Sequence, residues 1–288
     1  VITRVRHLAA VCALGTALTA LAACSASDPV RAPRTVPRSA VASASASPAA
    51  GPPTLAPGPA GLTPVFEHGP RSGDRAVALT FDADMTADQG PRAARGERFD
   101  NPGLIAALRE LRVPATVFMT GRWAEEYPRQ ARSLGRDPLF EIANHSYSHY
   151  AYTEDCYGLP TVDEERMRAD VERAYAAFRA AGVHDAMPYF RFPGGCHDTR
   201  ALKALVPAGV TAVQWDVVSG DAFATDARAV ARDVLDGVRP GSVVVLHCTL
   251  SAAPTTERVV RQVVPELRRE GYRLVKVSEL IGASGGRR

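Results

Sequence analysis

Several functional classes depend on features this chain has little of. No basic run with interleaved aromatics occurs in its 288 residues, and the formal net charge is only +3. A nucleic-acid partner is therefore not expected. No glycine-rich phosphate turn follows an apolar run, which counts against a nucleotide-binding sheet. The one long apolar stretch, Leu8 to Ala23, is short for a permanent membrane span. Large apolar side chains nearly vanish between Ser25 and Pro64, so that segment cannot bury enough surface to offset the entropy of ordering it. Of five cysteines, Cys12 and Cys24 fall in or beside the N-terminal apolar stretch, so Cys156, Cys196 and Cys248 are expected to give one disulfide and one leftover thiol in the folded part. What is present is an ordinary globular balance, 46% hydrophobic and 23% charged, long enough for one good-sized domain plus extra segments.

Arg4, Arg6 and His7 precede the apolar stretch, the layout of a secretory signal. The stretch ends Leu21-Ala22-Ala23-Cys24-Ser25. This resembles the bacterial lipobox, in which the cysteine is lipidated; a plain signal peptide cleaved nearby fits as well. Residues 25–73 are rich in Ala, Ser and Pro and read as a disordered tether. The expected layout is an export signal over 1–24, that linker, one domain over 74–282 and a disordered tail over 283–288. The membrane would be touched only through a lipid on Cys24, leaving an exported protein that is either anchored facing the cell wall or secreted. A monomer is expected.

Apolar runs at 76–81, 115–119, 140–143, 189–192, 211–215, 242–246 and 272–277 read as strands. Asn101 and Pro102 open a helix carrying Leu104, Ile105, Leu108 and Leu111. A helix from Trp123 to Leu134 stops at Gly135. Thr161 and Glu164 have capping-box spacing and start a long helix that ends at Gly182. Helices through Val230 and Val234, and through Val259, Val263 and Leu267, follow the fifth and sixth strands. Apolar strands trailed by amphipathic helices argue for a parallel sheet covered by helices. Regular repetition favours a barrel, although an open doubly wound sheet fits the same pattern.

Ionisable residues cluster where these strands end. Asp82 and Asp84 end the first, His145 and His149 the third, Arg191 the fourth, Asp216 and Asp221 the fifth and His247 the sixth. In a parallel sheet all lie on one face. The spacing of His145 and His149 suits one helical turn and one ion. An aspartate with two histidines is a divalent-metal set that leaves positions open for water. If His247 faces this site from a strand end, its neighbour Cys248 should face the helices. The pair expected is then Cys156–Cys196, with Cys248 a buried thiol.

Five short motifs occur in order at these ends: "TFDAD", "HSYSH", "RFPGG", "WDVVSGD" and "VVVLH". Together they resemble the polysaccharide deacetylases, carbohydrate esterase family 4, over about Asp74 to Leu280. The resemblance implies a distorted (β/α) barrel of about seven strands and a metal-dependent deacetylase. It implies Asp84, His145 and His149 as metal ligands, with zinc suiting the mixed set and cobalt or manganese able to replace it. Asp82 would be the general base and His247 the general acid, with Arg191 tuning Asp82 and Asp221 orienting His247. A backbone N–H near Gly194 would hold the oxyanion. Two departures stand out. The family's first motif usually has adjacent aspartates, whereas Ala83 intervenes here, so exchanged roles for Asp82 and Asp84 stay open. The fourth motif lacks the usual second tryptophan, so Phe223 or Leu246 would supply the wall around the acetyl methyl, with Trp215 a further substrate-binding candidate. The expected substrate is an N-acetylated cell-envelope polysaccharide, peptidoglycan first and chitin-like oligomers second. Two rivals are an O-acetyl xylan esterase on the same centre and a silent wall-binding lipoprotein.

Overall fold

The eight residues Ala76–Ala83 form the central strand, and all are buried. A strand buried on both faces needs cover on both, and the fold supplies it from one curled parallel sheet. The computed structural model describes residues 51–285. The expected export signal, Cys12, Cys24 and the first part of the expected tether lie outside the described residues, as do residues 286–288.

In chain order the elements are β1 (Val65–Phe66), β2 (Ala76–Ala83), α1 (Gly90–Ala94), α2 (Pro102–Glu110), β3 (Ala115–Met119), α3 (Gly121–Glu126), α4 (Pro128–Gly135), β4 (Phe140–Asn144) and α5 (Glu164–Ala181). Then come β5 (Tyr189–Phe190), α6 (Thr199–Ala204), β6 (Thr211–Val213), β7 (Val217–Val218), α7 (Ala227–Gly237), β8 (Val243–His247), α8 (Thr256–Arg269), β9 (Arg273–Val275) and α9 (Val277–Gly285). The sheet order is β1-β6-β5-β4-β3-β2-β8-β7, with β9 added to β2. Every strand pair is parallel. Among the described residues β1 and β7 do not pair, so the barrel is incomplete.

Pleating sorts the apolar residues of the strands onto two faces of the sheet. Val77, Leu79, Phe81, Val117, Ile142, Val244 and Leu246 face outward and pack on Leu104, Leu108, Trp123, Phe178, Val260 and Val263 of the helices. Ala76, Ala78, Phe118, Ala143, Tyr189, Val213 and Val243 face the interior, which Val277, Leu280 and Ile281 of α9 also enter. The first turn of α9 is held by interior polar groups near the strand starts. Val277 N–H donates to Thr116 Oγ1 at 2.9 Å and Ser278 N–H to Glu141 Oε1 at 3.1 Å. A carboxylate at a helix N-terminus is favourable. With α9 closing that end, the opposite end of the strands is left for chemistry.

The structure differs from the expected elements in four places. Residues 51–73 do not read as tether here. Leu55 packs against the interior core, Tyr189 Oη donates to the Pro53 carbonyl at 2.7 Å, and β1 pairs with β6. These contacts are mostly backbone hydrogen bonds and single anchors, which composition does not register. The expected helix over Trp123–Leu134 is broken into α3 and α4 at Tyr127 (φ −120°, ψ 54°), because the residue before Pro128 is pushed out of the helical region. The N-cap of α5 is Asp163, not Thr161; Thr161 is held extended by a bridge to Ala151. The last strand stops at Val275, and α9 carries order to Gly285, past the expected boundary at 283.

Candidate active site

The interior face of β2 carries Thr80 and Asp82, two residues apart and so on the same side. Arg191, just past β5, runs beneath them and is fully buried. Its guanidinium donates to Asp82 Oδ1 at 2.7 Å, to Thr80 Oγ1 at 2.8 Å and to the Val213 and Gln214 carbonyls, and it lies 3.9 Å from the Phe118 ring centroid. A buried cation without such partners would be costly. Asp82 is therefore locked in place from below, with Oδ2 turned toward His145 at 3.7 Å.

His145 and His149 follow β4, but not on a helical turn. Ser146 and His149 have φ of 69° and 55°, so the loop folds back on itself. Asn144 Oδ1 accepts from Ser146 N–H at 2.8 Å, and Ser146 Oγ accepts from His149 N–H at 2.9 Å. Asp170 of α5 accepts from Tyr147 N–H, from the Ser148 hydroxyl and from the Tyr152 hydroxyl. The two imidazoles meet with ring centroids 5.0 Å apart. Their Nε2 atoms lie 3.5 Å and 3.8 Å from the same oxygen, Asp84 Oδ1. Thr249 positions Asp84, its Oγ1 accepting from the Asp84 N–H at 3.0 Å.

Three observations fit these residues to a divalent metal. Their ligand atoms all lie within 4.8 Å of one another. Asp84 Oδ1 is buried and has no hydrogen-bond partner. His145 Nδ1 lies 2.9 Å from the Arg191 carbonyl; a carbonyl only accepts, so Nδ1 carries the proton and the Nε2 lone pair faces Asp84.

His247 ends β8, across β2 from the β4 loop. Its Nδ1 donates to Asp221 Oδ1 at 2.7 Å and its own N–H to Asp221 Oδ2 at 2.8 Å. Asp221 also accepts from the hydroxyls of Ser219 and Thr256 at 3.0 Å and 2.6 Å. The free nitrogen, Nε2, lies 4.0 Å from Asp84 Oδ2.

Burial and neighbouring charge set the protonation states. Burial alone would raise the Asp82 carboxyl, but Arg191, with His145 and His247, holds it below its ordinary value. Burial raises Asp84, helped by the charges of Asp82 and Asp221 and opposed by the imidazoles. Burial lowers His145, and lowers His149 to about 4. Burial opposes charge on His247 too, but the Asp221 hydrogen bond and Asp84 push it up to about 10. At neutral pH the set therefore holds an ionised Asp82, neutral His145 and His149, and a protonated His247.

A sequence profile described as Polysaccharide deacetylase matches residues 69–213. The chain belongs to the polysaccharide deacetylase family. It is 28% identical over 224 residues to a chitooligosaccharide deacetylase of Bradyrhizobium sp. (strain ANU 289), covering 74% of this chain and 94% of that one. It is 25% identical over 211 residues to a peptidoglycan-N-acetylglucosamine deacetylase of Bacillus cereus, covering 72% and 89%. In fold it matches the crystal structure of the Bc1960 peptidoglycan N-acetylglucosamine deacetylase, with a TM-score of 0.61, 23% identity, and 77% and 94% of the two chains covered. The profile match contains Asp82, Asp84, His145, His149 and Arg191. Asp221 and His247 lie beyond it, and the fold of this deacetylase-family chain brings them to the same place.

Other expected site residues fare differently. Gly194 lies in the turn after Arg191 with φ 66°, where a Cβ would come 2.6 Å from Cys156 Sγ. Trp215 is partly buried, packed on the interior core with its ring over Gly195. Leu246 does not line the site: it alternates with His247 along β8 and is buried in the outer core. Phe223 is 82% exposed, so it walls no acetyl pocket. Asp216 accepts from Ser242 Oγ and from Val243 N–H, away from the metal set. Cys156 and Cys196 are joined by a disulfide, and Cys248 is a buried free thiol whose N–H donates to the Asp82 carbonyl at 2.7 Å. Sequence reading missed Thr80, Thr249, Thr256 and Asp170. Thr80 was findable, two places before Asp82 on the same strand. The others stand far from their partners in the chain and carry no local signal.

Proposed function

We propose that this chain removes N-acetyl groups from a cell-envelope polysaccharide, releasing acetate, with peptidoglycan-type N-acetylglucosamine the first substrate and chitin-like oligomers the second. The observation that carries this is the convergence of Asp84, His145 and His149 on one unpartnered buried oxygen, flanked by Asp82 and His247. Zinc suits the donor set, and a bound divalent ion would polarise the amide carbonyl and acidify a water molecule. Asp84 is assigned as ligand rather than base because Arg191 already engages Asp82 Oδ1, while Asp84 Oδ1 has no donor.

Asp82, kept ionised by Arg191, takes a proton from water as the water oxygen attacks the acetyl carbon. His247 gives its Nε2 proton to the sugar nitrogen as the C–N bond breaks. Asp221 positions that ring and keeps it charged; it acts through His247, as Arg191 acts through Asp82. A backbone N–H near Gly194 would donate to the developing oxyanion. Products are acetate and a free amine on the sugar.

Export and lipid attachment at Cys24 complete the proposal, because an anchored enzyme meets a wall polymer directly; Cys24→Ser should release the protein to the medium. The reading is tested by acetate release from an N-acetylglucosamine oligomer and from acetylated xylan. Faster release from xylan would favour the esterase rival. No release from either, with metal bound, would favour the silent binder.

A further inference from the structure

The site just described leaves two rings unexplained. Tyr157 and Phe223 are 87% and 82% exposed. Both sit at positive φ, 50° and 60°, a conformation that bulky side chains rarely adopt. Neither ring is buried in the core, yet the backbone that carries each is tied down. Asp155, Tyr157 and Gly158 are all left-handed. Their loop is closed by the Cys156–Cys196 disulfide and by the bridge between Ala151 and Thr161. Tyr157 stands beside the oxyanion turn: a Cβ on Gly194 would lie 3.2 Å from its Cδ2. Gly194 is three residues from Arg191, whose carbonyl orients His145. Phe223 follows Asp221 by two residues, and its N–H donates to the Ala252 carbonyl at 2.6 Å, tying the loop after β7 to the loop after β8. The strand order puts β4 and β5 on one side of β2 and β8 and β7 on the other. The two rings therefore stand on opposite flanks of Asp82 and Asp84.

Isolated rings held apart do not form the contiguous apolar patch of a protein or membrane contact. A flat apolar face on a tied loop suits the C–H face of a pyranose. We propose that Tyr157 and Phe223 are sugar-stacking platforms on either side of the reacting unit, so that the enzyme engages three or more consecutive sugars. This rests on the polysaccharide reading above.

The test compares kcat/KM on the dimer and pentamer of β-1,4-linked N-acetylglucosamine. Tyr157→Ala and Phe223→Ala should each lower the pentamer-to-dimer ratio roughly 3- to 10-fold, while Tyr157→Phe keeps it. Because both rings are exposed, thermal melts should match wild type. An unchanged ratio in both alanine variants, or a wild type that does not favour the pentamer, overturns the proposal. If neither oligomer releases acetate, the deacetylase reading fails separately. Calorimetric titration with the pentamer then decides: weaker binding by Tyr157→Ala supports the platform, and equal or absent binding overturns it.

Discussion

His145 and His247 face one carboxylate, Asp84, from opposite sides of β2, at 3.5 Å and 4.0 Å, and are held in opposite charge states. Burial pushes His145 below its ordinary value, whereas His247 rises to about 10. The difference lies at the far ring nitrogen. His145 Nδ1 donates to a neutral carbonyl, that of Arg191; His247 Nδ1 donates to the Asp221 carboxylate. A carbonyl fixes the tautomer and leaves a lone pair for a metal. A carboxylate stabilises the imidazolium and leaves a proton to give. In the proposed reaction one residue type would thus serve as ligand on the β4 side and as acid on the β8 side.

Removing the shared carboxylate should have the largest effect. Asp84→Ala should lose bound metal, read by elemental analysis, and with it all acetate release above background; retained metal would move the ligand role to Asp82. His247→Ala should keep the metal and slow turnover about 10²- to 10⁴-fold. Loss of metal in that variant would erase the distinction between the two sides.

Asp221→Ala sharpens the contrast through pH. With His247 required protonated, kcat/KM falls as pH rises through about 10. With Asp82 required ionised, the rate also falls in acid, below the ordinary carboxylate range. Deleting Asp221 removes the leading support for charge on His247, so the alkaline limb should shift to lower pH, with a rate loss on the order of 10- to 100-fold. An unmoved limb would detach Asp221 from the acid. The smallest effect is expected from Asp170→Asn, which keeps an acceptor but loses the charge that gathers four donors around the β4 loop. Metal affinity should fall about 10-fold, with kcat nearly unchanged at saturating metal.

Strand ends were legible in the sequence because pleating and turn chemistry are local. Asp82, Asp84 and His247 follow from where apolar runs stop, and Thr80 follows from register. The path between His145 and His149 was not legible. Their spacing also suits a helical turn, and left-handed Ser146 and His149 carry no glycine to announce them. Asp170 looks like any charge on a helix, since nothing local marks the one that turns inward. Leu246 fell on the wrong face although alternation from His247 would have placed it outside. β1 and β7, two residues each, are too short for any period to show. The chain from 51 to 66 docks by backbone bonds and a few anchors, which hydropathy does not measure.

The most direct measurement is anomalous diffraction at the zinc edge from crystals grown with zinc. A single peak about 2.0–2.2 Å from Asp84 and from Nε2 of His145 and His149, with Asp82 and His247 flanking but unbound, is the predicted result. A peak bound to Asp82 in place of Asp84, or to His247, or no peak at this end of the barrel, would contradict it.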